Sequence, residues 1–383
     1  MDTIKHTLEL STEPQKQHCI IESKDNSEQF PQKDRNFFTN VASITKNVIQ
    51  SIPKWFDIGN SALNGVIGDY LEKENNELKI EMSFYHNNKP IQLEPNTLKD
   101  IYPDFSSKIC ILVHGLCANE HEWDLFDYGD INYGLALKKD LGYTPLYVRY
   151  NSGLHVSENG KKLSNLMSQL INVYPVRINE IIFLCHSMGG LVARSACHYG
   201  QKHKRKWIKK VKQLFFLATP HLGSPFERFG NVLTYILKSI KTPYTQLTGD
   251  IINLRSSAIK DLRFGYIVDE DWKGYDPDSL LEDNRNNISL MKNVSYYNIA
   301  ASLTKDPEHP FNKYIGDPLV TLDSAFGKSA IANKNIPFLK NNNIVFPKTG
   351  HIRIVNHKDV YKLICLLCNR KGKKGPALLT YDR

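Results

Sequence analysis

Long apolar runs are missing from this chain. No stretch of its 383 residues reaches the roughly 18 apolar residues that a membrane-spanning helix needs. Met1 to Ile20 lacks the uninterrupted apolar core of a secretory signal. A soluble protein of the cytoplasm is therefore expected, with export by a route that reads no such signal left open. Cysteine is sparse and scattered: 7 residues, at 19, 110, 117, 185, 197, 365 and 368. That odd set fits reduced, partly buried thiols in a reducing compartment, not a disulfide framework. Cys365 and Cys368 have metal-ligand spacing, but no second Cys or His pair accompanies them. They lie in the apolar run Tyr361–Cys368, so packing is their expected role. No nucleic-acid-binding fold signature is present, and no nucleic-acid partner is expected.

What is there is average for a globular protein: 41% hydrophobic and 23% charged residues. A chain this long buries a large core without cross-links. The formal net charge is +9, with two basic runs, Lys202–Lys210 and Arg370–Lys374. They read either as a solvated face and a frayed tail, or as a peripheral contact with anionic membrane.

Residues 1–34 are polar and read as a mobile tail. The stretch 35–75 reads as a helical extension, with Phe37, Val41, Ile44, Val48, Ile49 and Ile52 at helical steps and Pro53 as an interruption. Alternation predicts a strand over Leu78–Tyr85 and a short one over Pro90–Leu93. From Lys108 the chain alternates. Strands are expected at Ile109–Val113, Pro145–Tyr150, Glu180–Cys185 and Val211–Ala218, with helices at Leu135–Leu141, Lys161–Val173 and Leu191–Tyr199. Such an order implies a mostly parallel sheet with right-handed crossovers. Between about Ser224 and Met291 the alternation stops, in an insert with many apolar and aromatic residues. Strand-like runs return at Ser295–Leu303 and Asn343–Phe346, and a last helix is expected over Lys358–Cys368.

The strongest chemical signal is Cys185-His186-Ser187-Met188-Gly189-Gly190, between a predicted strand and a predicted helix. A sharp strand-to-helix turn exposes a serine hydroxyl as a nucleophile. The positions two before and two after it must be small. Gly189 satisfies the second, and Cys185 departs from the glycine usual at the first. An earlier strand ends in Val113-His114-Gly115-Leu116, whose glycine lets a backbone amide turn toward the site. The oxyanion donors are therefore assigned to the amides of Leu116 and Met188.

The segments ILVHGL, LCHSMGGLVAR and FFLATPHLGSP resemble the α/β-hydrolase superfamily in its lipase and esterase branch. The blocks H-S-M-G-G-L-V-A-R and T-P-H-x-G-S-P are similar to those of lipases related to the inositol deacylase of lipid anchors. The resemblance spans roughly residues 78–368. It implies an α/β-hydrolase fold in 35–383, with helices on both faces of the sheet, and ester hydrolysis through an acyl-enzyme with no metal and no organic cofactor. It also implies the order serine, acid, histidine. Asp317, in Ile315-Gly316-Asp317-Pro318-Leu319-Val320, is the candidate acid. Asp306 and Asp323 are rivals, with a turn and a helix cap as their alternative roles. His351, in Thr349-Gly350-His351-Ile352, is the candidate base. His357 is nearer the last helix and reads as a cap or pairing residue. His186, His114 and His221 read as structural. The insert 224–291 occupies the place of a lid or a fixed cap, and its apolar content favours an acyl ester or lipid as substrate. Two other readings share these motifs: an acyltransferase with the same triad, and an inactive binding protein on a hydrolase fold.

Overall fold

The computed structural model describes residues 54–124, 132–224, 256–276, 283–303, 317 and 319–369. Contacts divide the chain into two units, 1–51 and 52–383, and every described residue belongs to the second. The expected tail 1–34, the apolar spacing 37–52, most of the insert (225–255 and 277–282), Asp306 and the run 370–374 lie outside the described residues.

The second unit is built on an eight-stranded sheet in the order β2-β1-β4-β3-β5-β6-β7-β8. Its strands are β1 (Ser83–His86), β2 (Lys89–Pro90), β3 (Lys108–Val113), β4 (Thr144–Arg149), β5 (Glu180–His186), β6 (Val211–Leu217), β7 (Ser295–Ala301) and β8 (Asn343–Phe346). From β4 to β8 all neighbours are parallel, whereas β1 runs antiparallel to β4 and to β2. The helices are α1 (Lys54–Lys73), α2 (Pro95–Ile101), α3 (Tyr133–Leu141), α4 (Val156–Val173), α5 (Met188–Lys202), α6 (Ser257–Phe264), α7 (Leu322–Ala325) and α8 (Lys358–Asn369).

Each central strand is apolar on both sides because both faces of the sheet are covered. Ile109, Ile111 and Val113 of β3, with Ile181, Phe183 and Cys185 of β5, meet Leu163, Met167 and Leu170 of α4 and Leu191 of α5. The alternate residues Cys110, Leu112, Ile182 and Leu184 meet Tyr133 and Leu137 of α3 and Val360 and Ile364 of α8. Cys365 and Cys368 pack against this second core.

The strand order reverses at β3, which has β4 on one side and β5 on the other. In open parallel sheets the crevice beyond the carboxyl ends of the strands at such a point is where ligands bind. Here it lies past Val113 and His186.

Three expectations need correction. Of the short strand expected over Pro90–Leu93 only Pro90 is strand, paired with Tyr85 where β2 folds back tightly on β1. Leu78–Met82 is not strand, because Asn64 of α1 takes the place of a strand partner. Its side chain donates to Leu78 O (2.8 Å) and accepts from Ile80 N (3.0 Å). Helix α4 begins at Val156, ahead of the expected Lys161. Gly160 lets that extra turn approach α5: a Cβ there would stand 2.0 Å from Ser195 Oγ.

Leu163 is fully buried between α4 and the sheet. Leu163→Ala should cost about 2–5 kcal/mol of unfolding free energy through lost transfer and a residual cavity. Equilibrium urea unfolding measures it, and an unchanged midpoint would contradict this packing.

Candidate active site

Strand β5 delivers Ser187 directly into α5. The residue has φ 49° and ψ −124°, a left-handed backbone that a serine does not adopt without support. Support comes from both sides of the turn. Ser187 N donates to Leu217 O of β6 at 2.9 Å, and Gly190 N donates to Ser187 O at 3.0 Å. Gly189 permits the close approach: a Cβ there would lie 2.4 Å from Val113 O and 2.5 Å from His114 O. The departure at Cys185 is tolerated, since its side chain is wholly buried in the first core.

The loop after β3 lies against this turn. A Cβ built on Gly115 would stand 3.2 Å from Ser187 Cβ and 3.3 Å from His186 Nδ1. The amides flanking Leu116 are both engaged. Gly115 N donates to Glu122 Oε2 at 3.0 Å, and Cys117 N donates to Ser152 Oγ at 3.0 Å. Cys117 has φ 61°, a second left-handed residue at the same crevice. Met188 is the first residue of α5, where the helix itself provides no acceptor for the amide.

Asp317 and His351 come together from separate loops. His351 Nδ1 meets Asp317 Oδ2 at 2.7 Å, and both side chains are buried. The other oxygen, Asp317 Oδ1, accepts from Leu319 N (2.6 Å) and Val320 N (2.7 Å). Backbone amides thus fix the carboxylate, and it fixes the imidazole. Its rival Asp323 is exposed in α7, whose cap is Thr321, accepting from Ser324 N. His357 has the role expected of it: its Nδ1 accepts from Asp359 N at 3.3 Å, at the start of α8.

The loop of His351 reaches the turn through His186. His186 Nε2 donates to His351 O at 2.9 Å, and the two rings are 4.8 Å apart between centroids. On its other side His186 Nδ1 meets Glu122 Oε1 at 2.6 Å. Both ring nitrogens face acceptors, so the ring carries both protons. Burial works against that charge, but the Glu122 carboxylate outweighs it and holds His186 above its ordinary 6.5. Burial works against the Glu122 charge as well, and His186 outweighs it, keeping the carboxyl below 4.5. Glu122 is not legible in the sequence as a site residue. It stands among loop residues in Ala118–Asp124, and only the 3₁₀ turn Glu120–Asp124 turns it inward.

The other two histidines are structural. Burial lowers His114, whose ring stacks on Tyr150 at 4.3 Å and donates through Nδ1 to Gly115 O. Burial, with Arg194 adding to it, holds His221 well below 6.5. Its Nδ1 accepts from Arg194 at 3.3 Å while Nε2 donates to Asn298 Oδ1 at 3.1 Å. Burial in turn pushes Arg194 down to about 10.

Helix α1 closes the crevice beside the β3 loop. Asn119 Nδ2 donates to Ser61 Oγ at 3.1 Å, and Ser256 Oγ donates to Gly65 O at 2.8 Å. Of the insert, 256–276 is packed rather than loose. His155 Nδ1 is 3.0 Å from the buried Asp261 of α6 and its ring stacks on Trp272 at 3.6 Å. The basic run Lys202–Lys210 is largely exposed, at the far end of α5 from Ser187. Among the described residues no helix is long and apolar enough to cross a membrane.

Residues 104–261 match the family model described as "Putative serine esterase (DUF676)". The matched span contains Glu122, His186 and Ser187 and ends before Asp317 and His351. No curated protein matches the chain. Among solved structures, Aspergillus fumigatus lipase B is similar at 13% identity and a TM-score of 0.36, over 72% of this chain and 57% of that one. The chain therefore spans little more than half of that lipase. An esterase of Pyrococcus furiosus is similar at 12% identity, TM-score 0.40, over 69% of this chain and 82% of that one. Naproxen esterase from Bacillus subtilis is similar at 11% identity, TM-score 0.38, over 68% and 84%.

The pair Glu122–His186 makes stability depend on pH. The raised pKa of His186 contributes stability that is complete below 6.5 and is lost as pH rises through its folded value. The lowered pKa of Glu122 contributes stability that is complete above 4.5 and is lost as pH falls through its folded value. The melting-temperature advantage of the wild type over Glu122→Gln should therefore peak between 4.5 and 6.5 and narrow on both sides. A difference independent of pH would contradict the charged pair. The mostly parallel sheet and its strand–Ser187–helix turn thus coincide, across 104–261, with a similarity to the family described as "Putative serine esterase (DUF676)".

Proposed function

We propose that the chain cleaves carboxylic esters through an acyl-enzyme on Ser187, with Asp317 and His351 completing the triad and an acyl lipid or similar apolar ester as substrate. The observation that carries the reading is the 2.7 Å contact of His351 Nδ1 with Asp317, in a loop hydrogen-bonded to the residue before Ser187. With Nδ1 occupied, His351 Nε2 is the nitrogen left to take the Ser187 proton.

In this reading the hydroxyl attacks the ester carbonyl as His351 removes its proton, and Asp317 stabilises the imidazolium that forms. The amides of Leu116 and Met188 hold the oxyanion. Collapse expels the alcohol, which takes the proton from His351. Water, activated by the same histidine, then releases the acid and restores Ser187. The strained turn at Ser187 supports the assignment, because strain of this kind persists where the surroundings hold it and is concentrated at reactive residues.

The domain plan proposed is a catalytic domain over 35–383 that includes the helical extension 35–75, with the insert 224–291 as cap. The packing of 256–276 supports a fixed cap for that part. Contact with anionic membrane through Lys202–Lys210 would be made about 22 Å from Ser187, the length of the 15-residue α5. It would tether the enzyme rather than lead substrate to the serine.

Ser187→Ala should lower kcat for p-nitrophenyl esters by at least about 10⁴-fold, and Asp317→Asn by about 10⁴-fold, with the fold retained. Turnover on a chain-length series, with circular dichroism as the control, measures both. Full turnover by folded Ser187→Ala would sink the assignment.

A further inference from the structure

Four hydrogen-bonding groups, from the β3 loop, the end of β5 and the His351 loop, meet in one buried chain. Gly115 N–H donates to Glu122 Oε2 at 3.0 Å, Glu122 Oε1 meets His186 Nδ1 at 2.6 Å, and His186 Nε2 donates to His351 O at 2.9 Å. Both carboxylate oxygens and both ring nitrogens are used. The chain begins one residue before Leu116, passes through the residue before Ser187, and ends on the backbone of His351.

From this connection we infer that Glu122 and His186 are a positioning pair for the ester hydrolysis proposed above, on which the inference rests. Neither touches the substrate. Glu122 holds the His114–Gly115 peptide, which leads into the Gly115–Leu116 peptide and so bears on the aim of the Leu116 amide. His186 holds the His351 peptide and so the height of the base over Ser187. A single rigid link thus fixes the oxyanion donor and the proton acceptor relative to each other. Apolar residues of similar volume would fill the same space, and buried ion pairs are often replaceable by them without loss of stability. Apolar residues would give no directional hold on the two backbones.

Glutamine at 122 can keep every link. Its oxygen accepts from Gly115 N–H, and its amide donates to Nδ1 of a neutral His186, whose Nε2–H still reaches His351 O. Alanine keeps none. Aspartate is a methylene short and cannot span both partners from the same turn.

The test uses the full chain, with kcat and KM on a p-nitrophenyl ester and the rate of labelling by a fluorophosphonate. Glu122→Ala should lose about 10- to 100-fold in kcat, the scale of a displaced catalytic group, with KM within about twofold and labelling slowed in parallel. Glu122→Gln should restore most of both rates. If Glu122→Ala does not fold, Glu122→Asp takes its place, with a loss of at least about tenfold expected. A folded Glu122→Ala or Glu122→Asp with wild-type kcat overturns the inference, even if its melting temperature falls, since that is a purely structural role. Glu122→Gln as slow as Glu122→Ala overturns it too. Wild-type turnover with an indifferent Glu122 leaves the esterase reading standing; a wild type without turnover, or a fully active Ser187→Ala, removes both.

Discussion

A serine with φ 49° and ψ −124° is held against its own preference, and the rest of the site is arranged around that hold. Such a conformation costs on the order of 1–3 kcal/mol and survives only where the surroundings fix it. The parallel register of β3 with β5 aligns Val113 with Cys185, so both strands end at the same level. Gly189 then approaches the carbonyls of Val113 and His114 with no side chain between. One pairing thus determines where the β3 loop and the Ser187 turn meet. It also explains why the crevice opens at the point where the strand order reverses.

The remaining partners arrive from far along the chain. The loop holding Asp317 follows β7, and His351 follows β8. The two meet at 2.7 Å because the parallel order β6-β7-β8 brings successive carboxyl ends to one edge. Asp317 needs two backbone amides to stay aimed, and His351 needs His186 beneath its carbonyl. His351, the base of the proposed mechanism, is thus contacted at its ring by Asp317 and at its backbone by His186, which in turn meets Glu122.

Much of this is legible in the order of the amino acids. The central strands are readable because burial on both faces leaves apolar runs such as Ile109–Val113 and Glu180–Cys185. The serine turn is readable because strand, small residues and helix abut in sequence. Leu78–Met82 misleads, since its alternation is answered by the side chain of Asn64 rather than by a strand. The early start of α4 is hidden by Gly160, a poor helix former kept for close packing on α5. Glu122 is invisible for a different reason. A lone acid in a loop carries no period, and only folding brings it to a histidine 64 positions away. His186 is legible as the neighbour of Ser187, but not as a link between two backbones.

The central claim is that Ser187 is an activated nucleophile in the folded chain. Its most direct test is peptide mass spectrometry of the full chain after reaction with a fluorophosphonate. A single adduct on Ser187, formed by the folded protein and not after unfolding, is the predicted result. An adduct on another serine, or none on a folded chain that turns over esters, would contradict the account.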